Sequence, residues 1–494
     1  MRRIETISSQ LPNNAKLFLA WLEYQKGSSE ATVEAYAQDI LDFEEYLQEW
    51  GSSLEHPGEI SPANIQGFPA HLYNKKIPCE MYDKVNLMCR NYMDRMARFE
   101  VDYDFLIDEV AFKNVAVCCL ECAPFMHSEV VNSPLSPYWK VSDYHIDQMI
   151  TFKEVEDVEK ARMEFFSKEI PLSSNIQMNI GVFINDGKSY VCFIWNHMCF
   201  DGGGYKSFWC DFCKNYSDYV LKGISPVNFS SGSRKYSEIY KDMDKSFAKK
   251  AKKQLANVSP KDKHILPFEN LNKEDSVVIV HREINEDNFA KAVSYAKSIG
   301  ATVNDIIVAA YIDAFAKISG MSDDESINVT CATDLRRHLK DPSSIGYTNH
   351  VSFSHCFLEH KGTNYKDTLK MVSAKTKELK KDPFMGLHGL PLLNFAYKTM
   401  TYIQAETIVK LFYNNPTLSV SNVGKIDTVA FSLANNPPFS AFVAGAAKNK
   451  PCAVMTALTI NGRLKASMCL RGNEKDKELL EKFFTEFKKS IDTI

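Results

Sequence analysis

The sequence predicts a mixed α/β chain of two lobes, preceded by a small all-α segment. Three observations carry that expectation. The chain has 494 residues, beyond the roughly 250–300 at which one hydrophobic core stops growing, so two or three domains are expected. From Asn14 to Lys76 the apolar spacing is helical, whereas the remainder alternates strand-like and helix-like patterns. A lysine-rich interval, about Ser230 to Lys263, separates two halves rich in strands and helices. That arrangement fits a two-lobed body with a site between the lobes. The boundaries read as 1–76, 77–265 and 266–494.

Along the first segment, Leu17, Trp21, Leu22 and Tyr24 follow helical spacing. Gly27 ends that helix, and Ser28 or Ser29 caps the next. Val33, Tyr36, Ile40, Phe43 and Leu47 recur at three and four, an amphipathic helix. Pro57-Gly58 makes a turn, and Ser61-Pro62 opens a third helix. At Lys76-Ile77-Pro78 the pattern changes. "RMARFEVDYDF" reads as a strand, and "EVAFKNVAVCCLECAPFM" as a helix with Val110, Val117 and Leu120 on one side. Two strands joined at Asn185-Asp186-Gly187 form a hairpin. Tyr190 to Trp195 is almost wholly apolar, the mark of a central strand buried on both faces. The lysine-rich interval reads as a surface helix and crossover, its charge a solvated face or a patch for the phosphates of an acyl carrier.

"SVVIVHREI" then gives a strand, and Phe289, Val293 and Ala296 mark a helix that Gly300 ends. Thr302 is the N-cap of the next helix, which carries Ile306, Ala310 and Ala314. "SINVTCATDLRRHL" is a strand running into a turn, and "TLSVSNVGKID" supplies another. The last pair turns at Asn461-Gly462. The closing helix, Asp476 to Ile491, carries Leu479, Leu480, Phe483, Phe484 and Phe487 on its apolar side.

Composition excludes several classes. A formal net charge of −4 exerts no global pull toward nucleic acid or anionic lipid. Thirteen cysteines is an odd number that fits a complete disulfide frame poorly. Cys119–Cys122 and Cys210–Cys213 have CxxC spacing, but a zinc module separates its pairs by roughly 15–20 residues. They read as buried small hydrophobes in a reducing cytosol, and no metal site is expected. No run of 18 apolar residues spans a membrane, and the N-terminus lacks the order of a signal peptide. A cytoplasmic protein is expected.

"IWNHMCFDGGG" (residues 194–204) serves neither strand nor helix stability. His197, at a strand end, sits on rigid backbone, and its ordinary pKa near 6.5 suits a general base. Asp201 either orients the imidazole directly or turns away to pair with an arginine. Gly202, Gly203 and Gly204 allow positive φ and close approach of another segment. The bland reading is a core histidine beside a glycine turn.

Residues 197–202 form HxxxDG and resemble the signature of the chloramphenicol-acetyltransferase-like acyltransferase superfamily. That group includes condensation domains, alcohol acetyltransferases and polyketide-associated acyltransferases. "GATVNDIIVAAYIDAF", "TDLRRHL" (333–339) and "SNVGKID" (421–427) resemble further motifs of the family in the same order. The resemblance covers about 77–494 and implies two chloramphenicol-acetyltransferase-like lobes with a tunnel between them. It implies an acyltransferase with a small-molecule hydroxyl or amine acceptor. The donor would be acyl-CoA or an acyl carrier protein. Its co-substrate is thus a coenzyme A or phosphopantetheine-linked thioester, with no bound cofactor. His197 would be the catalytic base. Asp201 and Arg336 would form a structural ion pair, and Gly202 would keep the channel open. Ser421, Asn422 and Asn349 are tunnel or oxyanion candidates. Condensation domains usually carry two consecutive histidines, whereas Asn196 fills the first position here. That departure favours the free-standing, alcohol-acetyltransferase-like members over an amide- or ester-forming condensation module. A silent scaffold is the remaining alternative.

"FLAWLEYQKGSSEATVEAYAQDILDFEEYL" resembles the SAM-like core-binding domain of tyrosine recombinases, truncated and lacking that family's catalytic half. Residues 1–76 hold six Lys+Arg and eleven Asp+Glu, so 6 − 11 = −5. Phosphate binding needs the opposite sign, so nucleic acid is an unlikely partner. The segment reads as a fused part or a relic.

Overall fold

The computed structural model describes residues 10–49, 51–60, 65, 76–79, 95–131, 136–171, 173–227, 232–254, 264–272, 274, 276–342, 346–401, 404–405, 407 and 416–494. The helix expected from Ser61-Pro62 falls almost wholly outside them.

Helix α1 (Asn13–Ala20) continues as one wider turn to Gln25, and Gly27 stops it at φ 67°. Helix α2 spans Glu30–Glu49. Their small core is Leu11, Ala15, Leu19, Leu22, Val33, Ala37 and Leu41. Of the expected apolar face, Leu22, Val33 and Leu47 are buried, whereas Leu17, Trp21, Tyr24 and Tyr36 point to solvent. The small Ala15 and Ala37 lie in the core between the two helices. Lys140 of the body joins this unit through Asp42 at 3.0 Å.

Strand β1 (Lys76–Pro78) belongs to a three-stranded antiparallel sheet with β3 (Ser128–Val131) and β4 (Tyr138–Val141). The first large sheet is built from β2 (Met96–Tyr103), β5 (Ile150–Glu154), β6 (Met178–Asn185) and β7 (Lys188–Asn196). The β6–β7 turn holds Asp186 and Gly187 at φ 49° and 74°, as the hairpin signal requires. Strand β7 lies between β2 and β6, with Val191 to Trp195 buried. Helix α3 (Glu109–Glu121) covers one face. It buries Ala111, Phe112, Val115, Ala116, Cys119 and Leu120 and leaves Val110 and Val117 exposed, a rotated face. Its partner is α4 (Gly202–Lys222), whose Phe212 ring lies 4.6 Å from that of Phe112. Cys119 and Cys213 pack within this layer, while Cys122 and Cys210 are half-buried. In the lysine-rich interval a short helix, Lys245–Ala251, forms, yet Tyr236, Ile239 and Tyr240 are buried.

The second sheet runs β10 (Val351–Leu358), β9 (Ile327–Asp334), β11 (Leu418–Lys425), β14 (Ala453–Ile460), β15 (Arg463–Arg471) and β13 (Lys448–Asn449). Strand β8 (Val277–Ile284) also pairs with β15. Helices α5 (Glu286–Ser298), α6 (Val303–Ser319) and α7 (Tyr365–Lys381) precede the closing α8 (Glu474–Asp492). Thr302 caps α6 in a reciprocal box with Asp305. Leu480, Phe483, Phe484 and Phe487 of α8 seal the core.

One strand crosses the linear division at 265/266. Strand β12 (Ser440–Ala444) pairs antiparallel with β2 and forms the edge of the first sheet. The second half of the chain therefore contributes to both lobes. Among the described residues, no single helix is long and apolar enough to cross a membrane.

Candidate active site

The site lies where the end of β7 and the start of α4 meet the connection from β9 to β10. His197 follows β7 directly, and its backbone N–H bonds to the Arg95 carbonyl at 2.5 Å. The three residues after it, Met198, Cys199 and Phe200, are fully buried. Their three carbonyls, and the N–H groups of Met198 and Cys199, all have partners. Asn196 Oδ1 accepts from Met198 N, and the Asn196 carbonyl accepts from Cys199 N. Arg234 donates to the Met198 and Cys199 carbonyls, and Trp195 Nε1 to that of Phe200. With the four carbonyls from His197 to Phe200 each accepting a side-chain donor, the loop is held in one shape and the imidazole is presented from a fixed base.

Asp201 caps α4 by accepting from Gly204 N at 2.7 Å. Its oxygens also take Arg336 Nη1 and Nη2 at 3.0 and 3.1 Å, and His350 N at 2.7 Å. Of the two geometries open to it, Asp201 therefore takes the arginine, and it makes no hydrogen bond to the ring of His197. Burial raises the carboxyl's pKa, but the Arg336 charge and these donors outweigh it and hold the group below the usual range. Arg336 further donates to Asp334 and to the Thr348 carbonyl.

The three glycines do not use positive φ; they are the first three residues of α4. Close approach is what requires them. A Cβ on Gly202 would lie 3.2 Å from Val423 Cγ2, and one on Gly203 2.9 Å from Arg336 Nη1. One on Gly204 would meet Phe200 Cβ at 2.6 Å and the Thr348 carbonyl at 2.8 Å.

His197 keeps partial exposure although protein surrounds it. Burial lowers its pKa, and the Lys448 charge pushes the same way. A hydrogen bond to its own backbone carbonyl and the Asp201 charge oppose the shift without cancelling it. Covalent geometry lets only Nδ1 reach that carbonyl. The ring is thus neutral at neutral pH. Asn349 Nδ2 lies 3.2 Å from both Nδ1 and the His197 carbonyl. Asn349 Oδ1 accepts from Val351 N, which fixes the amide's orientation.

Ser421 and Asn422 stand on β11, both half-buried. Asn422 Oδ1 accepts from Gly424 N at 2.9 Å, where the β11–β14 register shifts and Gly424 takes φ 85°. Neither residue hydrogen-bonds His197. The sequence reading missed Arg234, which also lies 4.0 Å over the Phe125 ring and holds the Tyr347 carbonyl. No spacing signal marks a single arginine in a loop. It also missed Asn196 as a brace: the side chain is buried and donates to Gln177 Oε1. Among the described residues, no group of three or more His, Cys, Asp or Glu could hold a metal ion.

The family model "Phage integrase, N-terminal SAM-like domain" matches residues 15–78. No curated protein matches the chain in sequence. Solved structures do match in fold. Polyketide synthase associated protein 5 from Mycobacterium tuberculosis aligns at TM-score 0.58 and 12% identity, over 84% of this chain and 98% of that one. Trichothecene 15-O-acetyltransferase from Fusarium sporotrichioides aligns at TM-score 0.60 and 12% identity, over 84% and 95%. A mutant starter condensation domain of rhizomide synthetase, in complex with C8-CoA, aligns at TM-score 0.61 and 9% identity, over 86% and 98%. The two-lobed body thus has the chloramphenicol-acetyltransferase-like fold shared by condensation domains and this acetyltransferase, behind a helical segment of the integrase SAM-like type.

Proposed function

We propose that the chain is an acyltransferase that moves an acyl group from a thioester to a hydroxyl or amine, with His197 as general base. The observation that carries this reading is the partly exposed imidazole of His197 at the seam between the lobes, on a loop whose 197–200 carbonyls are all bonded; burial lowers its pKa and favours the neutral ring. In the Nδ1–H tautomer the ring donates to its own carbonyl, and Asn349 Nδ2 donates to that same oxygen rather than to Nδ1. The Nε2 lone pair then remains for the acceptor's proton.

The acceptor oxygen or nitrogen attacks the thioester carbonyl as Nε2 takes its proton. The tetrahedral intermediate collapses with loss of the thiolate, which takes the proton back from Nε2. Holding both reactants at one seam removes much of the entropic barrier, and base assistance adds about 10²–10⁴-fold. Ser421 or Asn422 is the candidate donor to the oxyanion. Asp201 and Arg336 act structurally, and Gly202 leaves room beside Val423. The C8-CoA held by the rhizomide condensation domain supports a coenzyme A thioester as donor; a carrier-protein thioester has the same reacting group.

The test is thiol release from a panel of acyl-CoAs with alcohols and amines, using His197→Ala as the blank. Acceptor-dependent release by the wild type and none by the variant, with matching melting curves, is the expected result. Because burial lowers the His197 pKa, kcat/KM should stay level through pH 6.5, the ordinary histidine value, and fall only in more acid solution. Equal release by the two proteins would exclude His197 as the base. No release from any donor would favour a scaffold.

A further inference from the structure

Lys206 lies one helical turn beyond Gly202 on α4, so the two residues share a face. Both meet Val423 of β11. Gly202 lacks the Cβ that would press on the Val423 side chain, and Lys206 Nζ donates to the Val423 carbonyl at 2.9 Å. Val423 is the extra residue of the bulge: Asn422 pairs with Ala457 and Gly424 with Leu458, leaving it outside the ladder. Its carbonyl takes a partner from the other lobe instead of from the sheet.

The lysine is ill placed for any other role. It is half-buried, and among the described residues it forms no ion pair. The carboxylates whose charges act on it, Asp334 and Asp201, are both engaged by Arg336. Desolvation lowers its pKa. An ammonium brought into that environment for one main-chain carbonyl is spent on geometry.

We propose that Lys206 is a positioning residue whose ammonium pins the Asn422–Gly424 bulge to helix α4 and so sets where Ser421 and Asn422 stand relative to His197. The catalytic half of this inference rests on the acyl-transfer reading; the latch itself does not.

Hydrogen–deuterium exchange over residues 418–426, with thiol release, tests it in the full chain. Lys206→Met keeps the apolar stem and removes the donor. With that charged donor gone, exchange over 418–426 should rise about 10–100-fold. Exchange over 197–204 should stay unchanged. The displaced bulge should cost about 10²-fold in kcat, with KM within about threefold. Lys206→Arg should restore most of both. Should the methionine variant fold poorly, Lys206→Gln is read in the same way. Unchanged exchange over 418–426, or raised exchange with intact kcat, overturns the inference. If the wild type releases no thiol, the acyl-transfer reading falls, while the exchange comparison still decides whether Lys206 holds the bulge.

Discussion

Asp201 is the residue on which the site's shape turns. Its carboxylate is 1% exposed, and four N–H donors converge on it from α4, Arg336 and His350. Removing one partner of such a pair strands a buried charge, at about 3–5 kcal/mol. Asp201→Ala should therefore melt well below the wild type and lose solubility along with activity. Asp201→Asn keeps an acceptor for Gly204 N and should fall between the two. An Asp201→Ala protein that melts at the wild-type temperature would show that the pair does not brace the loop.

At the scale of the element, the first turn of α4 separates three uses of glycine. Replacing glycine by alanine in a helix gains up to about 1 kcal/mol from propensity, so any loss reports crowding. Gly202→Ala meets only the Val423 side chain, which can give by a few tenths of an ångström, and its stability should stay near that of the wild type. Gly203→Ala presses on a guanidinium that Asp201 holds in place. Gly204→Ala drives a methyl into the Thr348 carbonyl and Phe200 Cβ, where backbone must move. Overpacking of that kind costs about 1–3 kcal/mol. Denaturant midpoints should fall in the order 202, 203, 204, with 204 lowest. A Gly204→Ala midpoint equal to that of Gly202→Ala would contradict the packing at this turn.

At the scale of the whole molecule, the lobes are interlocked by more than their seam. Strand β12 completes the first sheet from the second half of the chain, and the 335–350 connection delivers Arg336, Asn349 and His350 to the first lobe. The body should unfold in one calorimetric transition, and fragments cut at 265/266 should not fold separately. His350 adds a pH dependence to that transition. Burial, together with the Arg336 and Arg234 charges, drives its pKa down to about 3. The unfolded chain therefore binds the proton more readily. The contribution is complete above pH 6.5 and is lost as pH falls toward 3, at about 1.4 kcal/mol per unit. His350→Gln should flatten the decline in melting temperature between pH 6.5 and 4. Parallel curves would show that another group sets the acid limit.

The sequence by itself determined the local elements. The Asp186-Gly187 turn, the apolar strand from Val191 to Trp195 and the Thr302 cap depend on neighbours a few residues apart. Local sterics and hydrogen bonding decide such features wherever the segment goes. The order of HxxxDG, the DLR segment and SN-x-G pointed to the fold, and it named both Asp201 and Arg336. Only the tertiary structure decided which helix faces turn inward, because burial is a property of the surface a helix meets. Only the tertiary structure placed β12 in the first sheet, brought Asn349 to His197 and Arg234 to the 198–199 carbonyls, and set Lys206 on the bulge. Those contacts join residues 35 to 346 positions apart, and no local preference encodes a partner at that distance.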